Sequence, residues 1–531
     1  MSVPARGRRI TQPLALALAL AAIGATGGPI GGVFHAVGIG GYRGNDYVAH
    51  ESGDAYEYSE DVTVDFNEPV DLAGLAGSVT ISPETPHSFY HWNEDRRISI
   101  TMRKDPGITY RITVARSLRS KDGQSLAQSY AFSITTPATP SIPAPLRATP
   151  NEPYRYGVLA HPFPFSLTGS SADRHIALMA DAGVRFVRID YCGDQIDVGS
   201  SAIARIDPRS LINVIGVIKA ATTVAQTGSG YDWHVIDGVT DRLIAHRITE
   251  LPIVEQYCAP KRYTGGKGYP YIWQQPSDYA AFARAIAAHI ARKYPQITRI
   301  ELFNEPNLNG WWRNANPEYA SRAGDAAATY MKAAYAAIKQ AAPQLTVVGP
   351  ALADGGTDVD PRKFLVAMYD GGCGRGKCWD VLSIHNYRWY NPTFHTKDSY
   401  QNQWGVYKQL QRIAADHGDP GTHVMLTEWG FSTNEQPEGF DPKVQAEYVA
   451  LGFNLMLVDP TVDGIVYVNM YNPGNDFWAK TALTNADFSK KPAFDVFKTF
   501  STYAGGSRAS TAGRDQDGDE QVSSGSTRSG R

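Results

Sequence analysis

With 531 residues, 43% of them hydrophobic and 19% charged, the chain can bury a large core and is too long for one average domain. A formal net charge of −3, from 50 basic and 53 acidic side chains, gives no bias toward nucleic acid or an anionic membrane, so the expected partner is uncharged. The 29 tyrosines and 10 tryptophans supply flat amphipathic faces, which suit sugar rings and ordinary cores alike.

Residues 1–27 read as a secretory signal peptide. Arg6, Arg8 and Arg9 precede "PLALALALAAIG", an apolar run too short for a comfortable membrane span, and small residues follow. An uncleaved anchor is the other reading. Export makes the protein secreted, extracellular or cell-surface, in a compartment where its four cysteines can pair. "CGRGKC" makes Cys373 with Cys378 the expected bridge, because its short glycine-containing loop brings the ends together. Zinc is the alternative there, but no histidine cluster or second cysteine pair accompanies the motif. Cys192 and Cys258 each follow an expected strand. They are either neighbours across a sheet or two separate buried thiols, and the second reading is favoured.

Residues 37–138 carry short alternating runs, "VTVDF", "SVTIS", "ISITM", "YRITVA" and "YAFSITT", separated by Asn, Gly, Asp and Pro, which predicts a small all-β sandwich. "VDFNEPVDLAGLAGSVTI", "ITYRITVARSLRSKDGQSL" and "YAFSITT" resemble the bacterial Ig-like domains of surface-layer and secreted proteins. The resemblance implies a spacer or adaptor, with glycan binding a lesser expectation and association with a cell wall or surface a further one. The "NEP" at Asn67, Glu68 and Pro69 lies inside this segment, so those three letters alone do not mark a catalytic site.

Residues 139–152 are proline-rich, and an extended, semi-rigid linker is expected. From 153 to 504 the pattern changes. "YGVLAHP", "VRFVRIDY", "LPIVEQY", "ITRIELFN", "LTVVGPA", "DVLSIHNY", "HVMLTEWG" and "GIVYVNMY" read as strands separated by amphipathic stretches, one of which places Tyr279, Phe282, Ala283, Ile286 and Ile290 on one face. Strands alternating with helices in this way predict a (β/α)8 TIM barrel with insertions. A doubly wound sheet is the alternative, but no glycine-rich phosphate fingerprint follows the first strand. The multidomain chain is therefore expected to be a TIM barrel preceded by an Ig-like sandwich. Residues 505–531 read as a disordered tail; "DQDGDEQV" within it resembles a calcium loop, although Glu520 stands at the turn glycine and Ser526 at the bidentate acid.

Function in a closed parallel barrel gathers at the C-terminal ends of the strands. The fourth expected strand ends in Asn304 and Glu305, the seventh in Glu428. Two such glutamates can face each other across the barrel mouth. Glycoside hydrolysis needs one neutral acid to protonate the glycosidic oxygen and one ionised carboxylate at the anomeric carbon. At about 5 to 5.5 Å apart the second carboxyl attacks directly and configuration is retained.

"ELFNEPN" and "LTEWGFS" on strands four and seven look like the paired signatures of the clan A retaining glycoside hydrolases. With "WW" after the first and "SIHNY" on strand six, the chain is most similar to family 39 or family 5-like enzymes, over about residues 153–500. The resemblance implies Glu305 as acid/base, Glu428 as nucleophile and Asn304 as the amide that meets the sugar 2-hydroxyl. It implies that His385 and Tyr387 orient the nucleophile or a sugar hydroxyl, and it favours an active-site role for Arg188. Glu301, on the same strand as Glu305, is read as a structural partner of Arg188 inside the barrel. Each residue also has a plainer reading: Glu305 and Glu428 as surface carboxylates, Asn304 as a turn cap, His385 as a core histidine.

Trp311 and Trp312 follow the acid and either stack on sugar rings or close the top of the core. Tyr257, Tyr263, Tyr269, Tyr271 and Trp273 sit on the long loop after strand three, and residues 204–229 look inserted after strand two. Strand eight lacks the tryptophan common in the family, so Tyr471 or Trp478 is the expected substitute. No metal or cofactor is expected. The function that follows is an exported retaining glycoside hydrolase acting on an oligo- or polysaccharide. A transglycosylase using the same residues and a noncatalytic glycan-binding or adhesion protein are the alternatives.

Overall fold

The computed structural model describes residues 33–43, 46–148, 152–160, 172–197, 230–260, 263, 273–308, 323–354, 359–387, 405–437 and 439–504. The signal segment, Trp311, Trp312, Tyr269, Tyr271, the 204–229 segment and the 505–531 tail lie outside them. Among the described residues no helix is long and apolar enough to cross a membrane.

The N-terminal domain is two antiparallel sheets. Strands β1 (Ala36–Arg43), β2 (Asp46–His50), β3 (Asp61–Phe66), β5 (His87–Trp92) and β6 (Arg97–Met102) form one, in the order β2-β1-β3-β6-β5. β4 (Val79–Ser82), β7 (Thr109–Val114) and β8 (Tyr130–Thr135) form the other. Alternation fills the space between them, with Val62, Val64, Ile98, Ile100, Ile112 and Phe132 pointing inward. The sequence pattern showed five of these strands. It missed β1, whose "GIGG" has few side chains to alternate, the short β2, and β5, an edge strand with three exposed residues at its end.

Eight parallel strands close the barrel: β9 (Tyr156–Ala160), β10 (Phe186–Tyr191), β11 (Thr249–Val254), β12 (Arg299–Leu302), β13 (Thr346–Ala353), β14 (Val381–His385), β15 (Val424–Trp429) and β16 (Val462–Tyr467), with β16 paired back to β9. They are followed in turn by α1 (Ala172–Asp181), α2 (His234–Ala245), α3 (Pro276–Lys293), α4 (Ala323–Ala341), α5 (Pro361–Asp370), α6 (Val406–Asp416), α7 (Pro442–Leu457) and α8 (Pro492–Thr502). Two helix starts are written locally. Asp360 and Asp441 cap α5 and α7 by accepting the N–H groups of Arg362 and Lys443, and a proline occupies the first turn after each, where no N–H partner is needed. The apolar face of α3 is buried as its periodicity requires.

Strand residues divide between two cores. On β10, Val187, Ile189 and Tyr191 face the helices, whereas Phe186 joins Leu159, Leu251, Val348, Met425 and Val466 inside the barrel. Arg188, two residues beyond Phe186, therefore points into the same interior, one layer nearer the mouth.

The sandwich rests on the barrel. Tyr448 of α7 donates to the Ser59 hydroxyl at 3.1 Å, Arg103 donates to the Asn434 carbonyl at 3.0 Å, and Tyr58 packs in the barrel's outer core. The proline-rich segment is bonded along α7, where Asn454 donates to the Ala144 carbonyl at 2.9 Å and accepts from the Leu146 N–H at 2.8 Å. The expected linker is thus docked against the barrel at these residues.

Cys373 and Cys378 form a disulfide. So do Cys192 and Cys258, against the expectation of separate thiols. β10 pairs with β11 in register, so residues one and four beyond those strands' ends meet at the barrel mouth, a neighbourhood that strand pairing creates and linear spacing does not display.

Candidate active site

The site lies at the C-terminal ends of β10, β11, β12, β14 and β15. Beyond β12 the chain turns sharply: Phe303 and Glu305 take left-handed φ values of 71° and 49°. Such a conformation is costly for non-glycine residues and needs support from its surroundings. The support is visible. Gln256 accepts from the Asn304 N–H at 2.8 Å and donates to its carbonyl at 2.5 Å, and the Glu305 N–H reaches the Ala351 carbonyl at 3.0 Å. Asn307, the last residue of "NEPN", is also structural: its amide bridges the Ala353 N–H and carbonyl and the Val359 carbonyl.

Arg188, 1% exposed, divides its guanidinium among three residues. Its Nε donates to Glu301 at 2.5 Å, Nη1 to Glu428 at 2.6 Å and Nη2 to the Asn304 amide oxygen at 3.0 Å. Burial opposes its charge, yet Glu301 and Glu428 together hold the guanidinium above its ordinary range. The other Glu428 oxygen accepts from the Tyr387 hydroxyl at 2.8 Å. Burial first, and then Glu428, raise that phenol well above its ordinary value. Glu428 is thus a carboxylate with a donor on each oxygen, one of them a cation.

Glu305 has different company. Its carboxyl meets His385 Nδ1 at 2.8 Å, and complete burial lowers that imidazole to about 4. The histidine is therefore neutral near pH 7, and Glu305 faces a neutral ring where Glu428 faces a guanidinium. One oxygen each of Glu305 and Glu428 and one His385 nitrogen lie within 4.8 Å of one another. Two carboxylates and a histidine so close could in principle hold a metal ion. The donor set argues against it, because a cation would have to displace Arg188 or Tyr387 from Glu428 and sit beside a buried guanidinium.

The structure thus brings together Glu305, Glu428, Asn304, His385, Tyr387, Arg188 and Glu301. Trp478 joins them from a short helical turn, Phe477–Thr481, beyond β16: it is 43% exposed, and its ring stands edge-to-face with Tyr387 at 5.3 Å. Tyr471 does not. Its ring stacks on Phe488 at 3.8 Å and stands edge-on to His175, so its face is used in packing the wall. Trp273, from the long loop after β11, is likewise buried, donating to the Glu255 carbonyl at 3.2 Å and stacked with Phe282 and Tyr263.

Several residues at the site escaped the sequence reading. Gln256 shapes the backbone under Asn304. Glu255, fully buried just beyond β11, is held well above its ordinary range by burial and by Asp190, with Arg188 opposing. The string "EQYC" after a strand was their only signal.

Residues 158–469 match the family pattern of cellulase (glycosyl hydrolase family 5), and residues 49–136 that of a bacterial Ig-like domain. A β-xylosidase of Geobacillus stearothermophilus is 23% identical over 256 residues, 44% of this chain and 48% of that protein, so the chain spans about half the length of this curated relative. Among solved structures, a family 39 glycoside hydrolase of Bacteroides cellulosilyticus WH2 is 16% identical, with 85% of this chain and 81% of that one covered and a TM-score of 0.47. The GH39 enzyme of Xanthomonas axonopodis pv. citri is 19% identical, with 67% of each chain covered and a TM-score of 0.44. The family 5 pattern covers more than half of the chain and includes the strand ends that carry Glu305 and Glu428, and the protein accordingly belongs to glycosyl hydrolase family 5, with a bacterial Ig-like domain ahead of its barrel.

Proposed function

We propose that the protein hydrolyses O-glycosidic bonds of an uncharged oligo- or polysaccharide with retention of anomeric configuration, through a covalent glycosyl-enzyme on Glu428. The observation that carries this reading is the close approach of two carboxylates in unlike surroundings, with oxygens of Glu305 and Glu428 inside a 4.8 Å cluster. An inverting pair stands about 6.5 to 9.5 Å apart to admit a water between the sugar and the base.

The roles follow from the partners. Arg188 and Tyr387 aim Glu428 at the anomeric carbon and leave its remaining lone pairs for the new C–O bond. As that bond forms, the glycosidic C–O bond breaks and Glu305 gives its proton to the leaving oxygen. In the second half Glu305 takes a proton from water, whose oxygen attacks the anomeric carbon and releases Glu428. The neutral His385 ring can accept from Glu305 when it is protonated and donate to it when it is not, depending on the tautomer. Arg188 occupies the Asn304 oxygen, which directs the amide nitrogen as donor toward a sugar hydroxyl. Trp478 offers a half-exposed aromatic face beside the nucleophile.

Export belongs to the same proposal, supported by the arginine-led apolar N-terminus and by two disulfides, which persist in oxidising compartments. Attachment to a cell wall or surface through the Ig-like domain would be read by fractionating the producing cells. The test of the chemistry is proton NMR of anomeric signals in the first minutes of reaction on a panel of plant, fungal and bacterial glycans, with Glu428→Gln as control. Release of the retained anomer by wild type alone supports the proposal; first release of the opposite anomer overturns it.

A further inference from the structure

The five-stranded sheet of the Ig-like domain has an outer face that its core does not use. Val62, Val64, Ile98 and Ile100 point inward, so Thr63, Asp65, Arg97 and Ser99 between them lie on the other face, where Thr63 and Ser99 are themselves covered and Asp65 and Arg97 are partly exposed. Register continues that face onto the edge strand β5, with Tyr90 opposite Ser99 and Trp92 opposite Arg97. These two aromatic side chains are 48% and 55% exposed. Being two residues apart on one strand, they stand about 7 Å apart on the same side, so each can meet a different ring of an extended ligand.

The face does not end at the domain. Pro437, Gly439 and Phe440 close the other side of a cavity of about 320 Å³, with Tyr58, Met102 and Lys104 at the junction. Those three barrel residues belong to the loop that leaves β15 just after Glu428, on the face of the barrel that carries Glu305. Arg103 holds the same loop through the Asn434 carbonyl. The loop that closes this cavity is thus the one that leaves the strand presenting Glu428.

Its chemistry is neutral and rich in hydroxyls. Arg97 is tied to Asp65 at 2.6 and 2.8 Å, Lys104 donates to the carbonyls of Tyr58 and Met102 at 3.4 and 3.3 Å, and Thr101 donates to Asp61 at 2.8 Å. A tryptophan and a tyrosine left half in water beside such groups suit a flat ligand with an apolar face and a hydroxylated rim, which describes a pyranose. With Arg97 ion-paired to Asp65, and Lys104 and Asp61 each hydrogen-bonded within the domain, this face gives an anionic or cationic ligand little to hold.

We infer that the outer face of this sheet, with the loop after β15, is a distal subsite that binds further sugar units of the glycan whose scissile bond lies between Glu305 and Glu428, stacking them on Tyr90 and Trp92. The inference rests on the glycosidase reading, and the Ig-like domain then lengthens the substrate cleft in addition to spacing the barrel.

The test compares wild type, Trp92→Ala, Tyr90→Ala and the conservative Trp92→Phe on xylohexaose, cellohexaose and mannohexaose and on the matching 4-nitrophenyl monoglycosides. Loss of one stacking face should raise KM for the hexasaccharide that is cleaved by about 5- to 10-fold. The kcat/KM for the monoglycoside should stay unchanged, and Trp92→Phe should recover most of the loss. Unchanged hexasaccharide KM in a folded Tyr90→Ala/Trp92→Ala double variant overturns the subsite. If wild type cleaves neither kind of substrate, the glycosidase reading falls instead. The subsite is then judged, as it also is if only monoglycosides are cleaved, by tryptophan-fluorescence titration of the three hexasaccharides: binding abolished by Trp92→Ala supports it, and no binding by wild type overturns it.

Discussion

Arg188 and Glu428, 240 residues apart in sequence, meet at 2.6 Å inside the barrel, and the same guanidinium holds Glu301 at 2.5 Å. One buried cation thus compensates two buried carboxylates, one near the chemistry and one below it. Replacing Arg188 by Met strands both acids, and breaking a buried pair in this way costs about 3 to 5 kcal/mol. Arg188→Met should unfold at markedly lower denaturant than wild type. Arg188→Lys, a point charge that cannot reach three partners at once, should stay folded and lose kcat. Urea titrations beside kcat and KM for both variants check this.

Tyr387 serves Glu428 through one hydrogen bond of 2.8 Å and lies beside Trp478. Tyr387→Phe keeps the ring and removes the donor. Its kcat should fall by about 10-fold or more with little change in KM, since a hydrogen bond to a charged group contributes roughly 1.5 to 3 kcal/mol. A rise in KM with unchanged kcat would mean that Tyr387 binds sugar and does not position the carboxylate.

The two glutamates should fail differently. Glu428→Gln should abolish turnover on every substrate while the melting curve stays cooperative. Glu305→Ala should lose about 10²- to 10⁴-fold on natural glycosides. With an activated leaving group its first step should be spared, and azide should then restore the second. Equal loss on all substrates without azide rescue would remove Glu305 from the acid/base role.

Two buried groups give opposite pH signatures. Burial lowers His385 to about 4, so between its unfolded value near 6.5 and pH 4 the unfolded chain binds a proton that the folded one refuses. Its contribution to stability is present above 6.5 and is lost as pH falls through that window, at about 1.4 kcal/mol per unit. Burial pushes Glu250 up to about 7 despite the Tyr191 hydroxyl at 2.8 Å. Its contribution is complete below about 4.5 and disappears as pH rises through 7. Glu250→Gln should therefore be more stable than wild type at pH 8, by on the order of 3 kcal/mol, and close to it at pH 4.5. Chemical denaturation at both pH values decides.

The disulfides should differ in weight. Cys192–Cys258 closes a separation of 66 residues and Cys373–Cys378 one of 5. Chain entropy assigns the first about 4 kcal/mol and the second about 2. Serine pairs at each should rank in that order by thermal melting. The first should also raise KM, because Cys258 adjoins Tyr257 and Gln256 beneath Asn304.

Much of this protein was legible in one dimension. Short apolar runs located all eight barrel strands, a period of 3.6 located the buried face of α3, and the strand ends singled out Glu305 and Glu428, because each of those signals lies within a few consecutive residues. The edge strands β2 and β5 left weaker traces, since an edge need not alternate when one side meets water, and the interior strand β1 did so because its glycines carry no side chains to alternate. What only the tertiary structure decided was partnership across the barrel. Arg188 joins Glu301, Asn304 and Glu428, Cys192 joins Cys258, Tyr471 turns to Phe488 while Trp478 turns to Tyr387, and the Ig-like sheet meets the loop after Glu428. The reason is physical: local pattern sets which face of an element is buried, but closure of the sheet and docking of the sandwich set which buried faces meet, and neither is encoded in any short stretch.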